Sequence, residues 1–522
     1  GWVSSTLFEP KVGDRIFKNM AARQSKLSVW YRSTLSSLEK SETGWRLKVS
    51  RDGSASDITA AVVIDATEMG DVAKMAGVPY SIGMDSKHIT GEYIAPEQEN
   101  DIIQDLTYVM VLKDYGKDMT IAKPAGYNPA LFYCSTISKK CTNPKEKNRL
   151  WSPQMMITYG KLPNNKYMIN WPIEGNDFYL NLLELTPAQR QEELKKAKNH
   201  SLSFLYYLQT ELGFKNLALA DDEFPTEDKF PFIPYHRESR RIKGAVTFGL
   251  NHIKEPYKQA EKLYRTAIAV GDYPVDHHHT RYSGWENLPD LYFYPVPSYG
   301  LPMGTLIPEG TDNLIVAEKS ISVTNLVNGT TRLQPVVLQI GEAAGTIAAL
   351  AVKRETATSA VKVREVQESL LSKGGYLLPY LDLPADHKNF KAIQRIGVTG
   401  IIKGIGANKG WENQTWFKTD SLMTVAELAD GLKEVYTHAD FTGVDDGKVT
   451  PENLAVMIAR ISGKERAEIE KSLATGWKSW GLGEYSSKKE LNRLECAVSV
   501  DALLNPFAIF DVDLKGNLNT AR

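Results

Sequence analysis

Apolar residues recur along this chain at strand and helix spacings that divide it into an α/β region followed by a helical one. Near the start, Leu27–Leu35, which includes Val29, and Trp45–Val49 read as strands, and Arg51-Asp52-Gly53 supplies a hairpin turn. The apolar strand Ala61–Ile64 runs into Asp65-Ala66-Thr67-Glu68-Met69-Gly70-Asp71, where Asp71 is placed to cap a helix. Further strands are predicted at Tyr108–Leu112 and Lys166–Trp171. Pro187–Leu212 predicts a long amphipathic helix with Thr186 as cap and Pro187 in its first turn, and its Glu192, Glu193, Lys195, Lys196 and Lys198 read as a solvated face. The strand Leu314–Val316 passes through Glu318 and a polar loop into an Ala-rich helix opened by Pro335. Small residues at Gly341, Ala343, Ala344, Gly345 and Ala348 let that helix approach a neighbouring backbone closely, and its start can face an anion. A tightly packed core helix is the plainer alternative.

After a helix at Ser359–Lys373, Gly374-Gly375 and the prolines Pro379 and Pro384 mark a boundary. Phe390–Tyr436 then reads helix, glycine-rich turn, polar loop, helix. Thr450–Leu504 repeats the cadence, with Phe417–Thr424 answering to Tyr485–Arg493.

Composition narrows the classes. The chain has 522 residues, 42% hydrophobic and 24% charged, the usage of a large multidomain globular protein. A net charge of −1 argues against a nucleic-acid partner, which needs a basic face. No stretch has the roughly 18 uninterrupted apolar residues of a membrane span. Cys134, Cys141 and Cys496 lack zinc spacing, and the first two are expected as reduced thiols, although they bracket a short loop that a disulfide could close. The acids of Asp440–Thr450 are wrongly spaced for a calcium loop, so no metal site is expected.

Three segments carry candidate chemistry. In Pro234–Gly244, Arg237, Glu238, Arg240 and Arg241 crowd four ionised groups into five positions, either as grips for carboxylates and phosphates or as an ion-pair cluster pinning two layers. Strand alternation would send Arg237 and Arg241 to one face. In Gly271–His279, Asp276 stands two residues before His278 and can orient its imidazole, leaving the other nitrogen for a proton; structural hydrogen bonding and metal binding remain alternatives. The proline- and tyrosine-rich run Tyr292–Pro308 resists helix, and either lines a pocket or serves as a rigid connector.

The strings "VVIDATEMGDVAKMAGVPYSIG", "PYHRESRRIKG", "YPVDHH" and "DNLIVAEKSISVTNLVNGTTRLQPVVLQIGEAAGTIAALA" together resemble the FAD-dependent oxidoreductases of the glutathione-reductase-like flavoprotein superfamily, over residues 1 to about 385. Glu68 stands where that superfamily usually has glycine. The resemblance implies an FAD cofactor, with contacts at Val29, Thr67, Gly70, Asp71, Glu318, Lys319, Gly329, Arg332, Gln334, Pro335 and Gly341, and it puts the start of the Pro335 helix at the flavin's pyrimidine edge. The superfamily's Gly-x-Gly-x-x-Gly turn, which binds the pyrophosphate, has no counterpart in these residues. A chain lacking that element is therefore expected, with FAD retention in doubt.

The expected fold is α/β: an incomplete Rossmann-type FAD-binding domain over residues 1–80 and 300–375, an inserted α+β substrate domain over 81–299, and an all-α C-terminal domain over 386–522. The C-terminal units also resemble degenerate surface-layer-homology modules, which implies contact with cell-envelope glycans and a periplasmic or extracellular site. The expected activity is hydride transfer from a small polar or sugar-like substrate to flavin, with His278 as base, Asp276 as its orienter, and Arg237 or Arg241 gripping the substrate. The alternatives are a carbohydrate-binding or envelope-associated protein on an inert flavoprotein scaffold, and a flavin-independent glycan lyase or hydrolase.

Overall fold

The structure is a computed structural model that describes residues 6–145, 150–410 and 412–520. A helix α1 (Pro10–Ala22) leads into an antiparallel meander of β1 (Ser33–Ser41), β2 (Gly44–Arg51) and β3 (Ser54–Ala60). The β2–β3 turn holds Asp52 and Gly53 at φ of +48° and +82°, the conformation a tight hairpin requires. The first strand was expected from Leu27, but pairing starts only at Ser33 opposite Arg51. With no partner strand beside residues 27–32 among the described residues, Leu27, Val29, Trp30 and Tyr31 stay irregular, and Val29 is 45% exposed.

β4 (Val63–Asp65) pairs in parallel with β5 (Leu314–Val316), Ile64 opposite Ile315. Val63, Leu314 and Val316 bury against Leu38, Trp45, Ala73 and Ile242. Parallel strands are normally covered on both faces and edges. Here Ile64 is 39% exposed, and among the described residues no strand pairs with the other edge of β4. The short helix α2 (Asp71–Met75) follows, entered through Gly70 at φ +66°. Asp71 is not its cap, a correction to the sequence expectation: Thr67 Oγ1 accepts from Asp71 N at 2.9 Å, and the Asp71 carboxylate is drawn instead to Arg190 and Arg240.

A second layer has its own core. Leu217–Leu219, Met110–Asp114, Lys166–Ile169 and Lys161–Leu162 form an antiparallel sheet in that order. The helix α3 (Pro187–Thr210) covers it through Phe204, Leu205 and Leu208. As the sequence indicates, Thr186 caps α3, and Gln189 completes a capping box. Cys134 and Cys141, expected as thiols, form a disulfide; the short loop brings their Cα atoms to 4.8 Å, within bonding range.

Beyond β5 come α4 (Asn325–Thr331) and α5 (Gln334–Arg354). Among the described residues α5 alone is long and apolar enough to cross a bilayer; here it packs as a core helix on Ala267–Gly271 and Val363–Ser372. Ala343 and Ala344 make that packing, whereas a Cβ at Gly341 or Gly345 would meet nothing within 4 Å, so those two glycines face open space rather than a neighbouring backbone.

One hydrophobic core runs from Val246 and Ile347 through Phe417, Leu454 and Trp477 to Val512, so residues 386–520 share it with the preceding region. The C-terminal region is not all-α as expected. Between its helices stand the hairpins Ile405–Lys409/Glu412–Trp416 and Phe510–Val512/Leu518–Thr520. Phe417–Thr424 and Tyr485–Arg493 lie side by side, Met423 N donating to Leu491 O and Arg493 N to Ser421 O, both at 2.9 Å. The second unit has the helix Arg466–Gly476 where the first has its hairpin, so the cadence repeats only in part.

Candidate functional site

Two clusters emerge from the residues singled out by sequence. The first lies at the carboxyl ends of β4 and β5, where ligands of parallel α/β sheets bind. Asp65 organises it, accepting from Thr67 N at 2.8 Å, Thr67 Oγ1 at 2.7 Å and Ala73 N at 2.7 Å. Gly70 presses on the next loop, where a Cβ would come within 2.8 Å of Ser320 Oγ. Glu318 sits at φ +60°, a backbone setting that favours glycine. The fully buried Lys319 ammonium is clamped between Glu68 at 2.9 Å and Glu318 at 2.5 Å. Burial raises the Glu68 carboxyl above its ordinary range, and the Glu318 charge adds to that against the pull of Lys319. His236 beside them is held neutral, pushed down to about 3 by burial and by Lys319.

The second cluster is built on Asp276–His279. His278 is held from both sides: Nδ1 is 2.9 Å from Asp177 Oδ2 and Nε2 is 3.0 Å from Asp276 Oδ2. Asp177 also receives Thr107 Oγ1 and, at 3.1 Å, the Arg237 guanidinium. Asp276 also receives Arg332 at 3.2 Å and the Tyr273 hydroxyl at 3.3 Å. Burial alone would raise both carboxyls; the Arg237 and His278 charges hold Asp177, and the His278, Arg332 and Arg237 charges hold Asp276, well below the usual range. Burial and Arg237 push His278 down, yet the two carboxylates outweigh them and its pKa is raised. With a carboxylate on each nitrogen, both ring nitrogens of His278 are placed to donate, which leaves no free lone pair to act as a base. His277 and His279 are neutral, lowered by burial and by neighbouring positive or histidine groups.

The structure adds residues that sequence reasoning missed. Asp105, buried beside Asp177, is pushed up to about 7 by burial and by the Asp177 charge. Gln104 accepts from His278 N at 3.3 Å and donates to Asn328 Oδ1 at 3.1 Å. Tyr235 accepts from Arg332 at 3.0 Å. Asp105 and Asp177 are lone acids in unremarkable local sequence, and only the chain fold brings them to His278. Gly329 is needed here for close approach, since a Cβ would sit 2.6 Å from His277 Nε2.

Arg237 and Arg241 do not share a face as alternation suggested. Only Arg241-Ile242 is strand, and Arg241 is committed to Glu238 at 2.8 Å, Asp85 at 3.0 Å and Val323 O at 3.1 Å, while Arg240 binds Asp71 and Glu184. The dense basic segment is thus largely an ion-pair cluster. Gln334 and Pro335 are exposed at the start of α5, and Gly341 lies on its open side. Val29 lies on the exposed irregular segment before β1.

Residues 1–370 match the family model described as FAD dependent oxidoreductase. The chain belongs to this family. Membership implies an FAD-binding α/β fold and a flavin-dependent oxidoreductase activity in general terms. No curated protein and no solved structure gave a match. The described residues offer unpaired polar atoms of the kind a polar ring or substrate needs. Around Arg332 the buried atoms Arg332 Nε, Arg237 Nε, Asn328 Nδ2, His279 Nδ1 and Asp276 Oδ1 have no hydrogen-bond partner, a set of donors and an acceptor suited to a polar ring edge or polar substrate. Lys319, expected as a cofactor contact, is already engaged by two glutamates.

Proposed function

We propose that this family member oxidises a C–H bond of a small polar or sugar-like substrate, with the Asp177–His278–Asp276 relay managing the proton. The observation that carries the reading is a histidine between two buried carboxylates beside orphaned donors. Bound FAD supplies the two-electron acceptor that takes the hydride. Asp276 Oδ1, the unpartnered oxygen of the relay, takes the substrate hydroxyl proton as the hydride departs, when that proton is more acidic than any carboxyl; His278 passes its own proton on to Asp177, and the one proton gained by the relay leaves to solvent. His278 is therefore a proton shuttle in this reading rather than the free base expected from the sequence. Arg332 and Asn328 orient the substrate or ring, and Arg237 fixes Asp177 in place. Arg241 has no part in it.

In this reading a further strand on the open edge of β4 brings the pyrophosphate-binding turn, and Thr67, Gly70 and Lys319 line the approach. The substrate domain is residues 81–299, and the Cys134–Cys141 disulfide favours an oxidising compartment such as periplasm or extracellular space. Anaerobic bleaching of the visible flavin band in FAD-loaded protein by a panel of polyols, sugars and hydroxy acids tests the assignment. Bleaching lost in Asp276→Asn with FAD still bound supports it; equal bleaching in the variant refutes it.

A further inference from the structure

Of the side chains packed around the relay, Asp177, Arg237, Asp276 and Arg332 are buried, whereas Tyr235 keeps part of its surface open. It is nonetheless held on three sides. Its backbone pairs with Thr107, Tyr235 N donating to Thr107 O at 2.8 Å and Thr107 N to Tyr235 O at 3.1 Å, and the Thr107 hydroxyl in turn donates to Asp177. The Arg237 guanidinium lies 5.4 Å from the centre of its ring, within reach of a cation–π contact. Its hydroxyl accepts from Arg332 Nη1 at 3.0 Å. Tyr235 is thus fixed to both acids of the relay through their own partners.

Arg332 decides where that hydroxyl stands. Its other terminal nitrogen, Nη2, donates to Asp276 Oδ2 at 3.2 Å. The phenol and the carboxylate therefore sit side by side on one edge of a planar guanidinium, whose fork has a rigid spacing. They differ in what they still offer. Asp276 Oδ1 is an acceptor without a partner. Tyr235 accepts from Arg332 and so retains its own hydrogen to give, and a hydroxyl polarised by a guanidinium is a stronger donor than a free one.

We propose that Tyr235 is a substrate-binding residue that selects a vicinal diol unit. An acceptor and a donor held beside each other match two oxygens on neighbouring carbons: one gives its proton to Asp276, and the other receives the Tyr235 hydrogen. The proposal rests on the proton transfer to Asp276 set out above and narrows its substrate class. A substrate with its hydroxyls far apart leaves the Tyr235 donor unpaired, and a site that must leave a polar group unpaired discriminates by more than the lost contact alone.

The test compares two isomers that differ only in that spacing, cis-cyclohexane-1,2-diol and cis-cyclohexane-1,4-diol. Half-saturation is read from anaerobic flavin bleaching of FAD-loaded protein and, without added FAD, from saturation-transfer NMR of the full chain. The 1,2-diol is expected to half-saturate at about tenfold lower concentration, a difference of about 1.4 kcal/mol. Tyr235→Phe keeps the ring over Arg237 and should erase that difference, weakening the 1,2-diol and leaving the 1,4-diol unchanged, with near-ultraviolet circular dichroism showing an intact fold. No response to either isomer, equal half-saturation of the two by the native chain, or equal weakening of both in Tyr235→Phe overturns the proposal, the last because the phenol would then only hold Arg332. Asp276→Asn separates this from the parent reading: bleaching that survives in that variant sinks the proton transfer, whereas bleaching lost there without a preference between the isomers sinks the vicinal selection alone.

Discussion

Replacing Asp177 by asparagine probes the relay with little change of shape. The Asp177 side chain is fully buried and receives Thr107, Arg237 and His278. Asparagine keeps the volume but removes the charge that faces two cations. A hydrogen bond to a charged group contributes about 1.5–3 kcal/mol, and 1.36 kcal/mol corresponds to about one pH unit, so His278 should lose its proton about 1–2 pH units earlier in the variant. The sign also governs stability. A histidine whose folded pKa is raised stabilises the fold below its unfolded value near 6.5, and that contribution fades as pH rises through the folded value. Asp177, held low, contributes above the ordinary aspartate range and loses that contribution as pH falls through its folded value. Removing one partner of a buried pair also costs about 3–5 kcal/mol. Nitrogen-detected NMR of the imidazoles gives the titration, and urea unfolding at two pH values gives the stability. An unchanged His278 titration, in a variant that keeps the native tryptophan fluorescence, would falsify the two-carboxylate account.

Asp105→Asn should stabilise the protein more at pH 8 than at pH 4: burial and Asp177 push Asp105 up to about 7, so the native chain is penalised as pH rises between its ordinary value and that one, and equal gains at both pH values would exclude the penalty. Lys166→Met should cost about 3–5 kcal/mol in urea unfolding, because the buried ammonium lies within 2.9 Å of Glu9, Asp222 and Glu223 and its loss removes the one buried cation between Glu9 and Glu223, Lys11 keeping the half-exposed Asp222; a loss below 1 kcal/mol, roughly a surface-pair value, refutes this. Gly329→Ala should destabilise by about 1–3 kcal/mol through its clash with His277, whereas Gly341→Ala should be neutral or gain up to about 1 kcal/mol of helix stability, and reversal of that order would overturn the packing described. Cys134→Ser with Cys141→Ser should lose about 2–3 kcal/mol for its short loop, seen as a lower melting midpoint that reductant reproduces in the native chain.

What the sequence could reveal depended on whether the cause of each feature is local. The cap at Thr186, the turn at Asp52-Gly53 and the strand at Leu314–Val316 are determined by a few neighbouring residues, and the structure has them where the pattern puts them. Val29 failed because strand propensity needs a partner, and among the described residues none lies beside residues 27–32. The C-terminal hairpin was hidden in a polar loop for the converse reason: Ile405–Lys409 and Glu412–Trp416 stabilise each other across Gly410, and neither strand is apolar enough to be read alone. The site behaves likewise. Asp276 and His278 are two residues apart, so their contact was legible; Asp177 is about a hundred residues away and reaches the other imidazole nitrogen only through the fold.

That second carboxylate changes the chemistry more than any residue the sequence supplied. With one carboxylate, His278 would be an oriented neutral base. With two, both of its nitrogens face acceptors and a proton can move either way, and the free oxygen of the relay shifts to Asp276 Oδ1. Arg332 and Arg237 lock the outer ends of the two acids, so neither can rotate away without leaving a buried guanidinium unpaired. A base would be tuned by one neighbour, whereas this relay is tuned by four charges at once. Substitution at either acid should therefore move the titration of His278 in the same direction, and Asp276→Asn should lower it as Asp177→Asn does. If the two variants shifted it in opposite directions, the acids would not be equivalent partners of one imidazolium, and the proton path drawn through them would have to be abandoned.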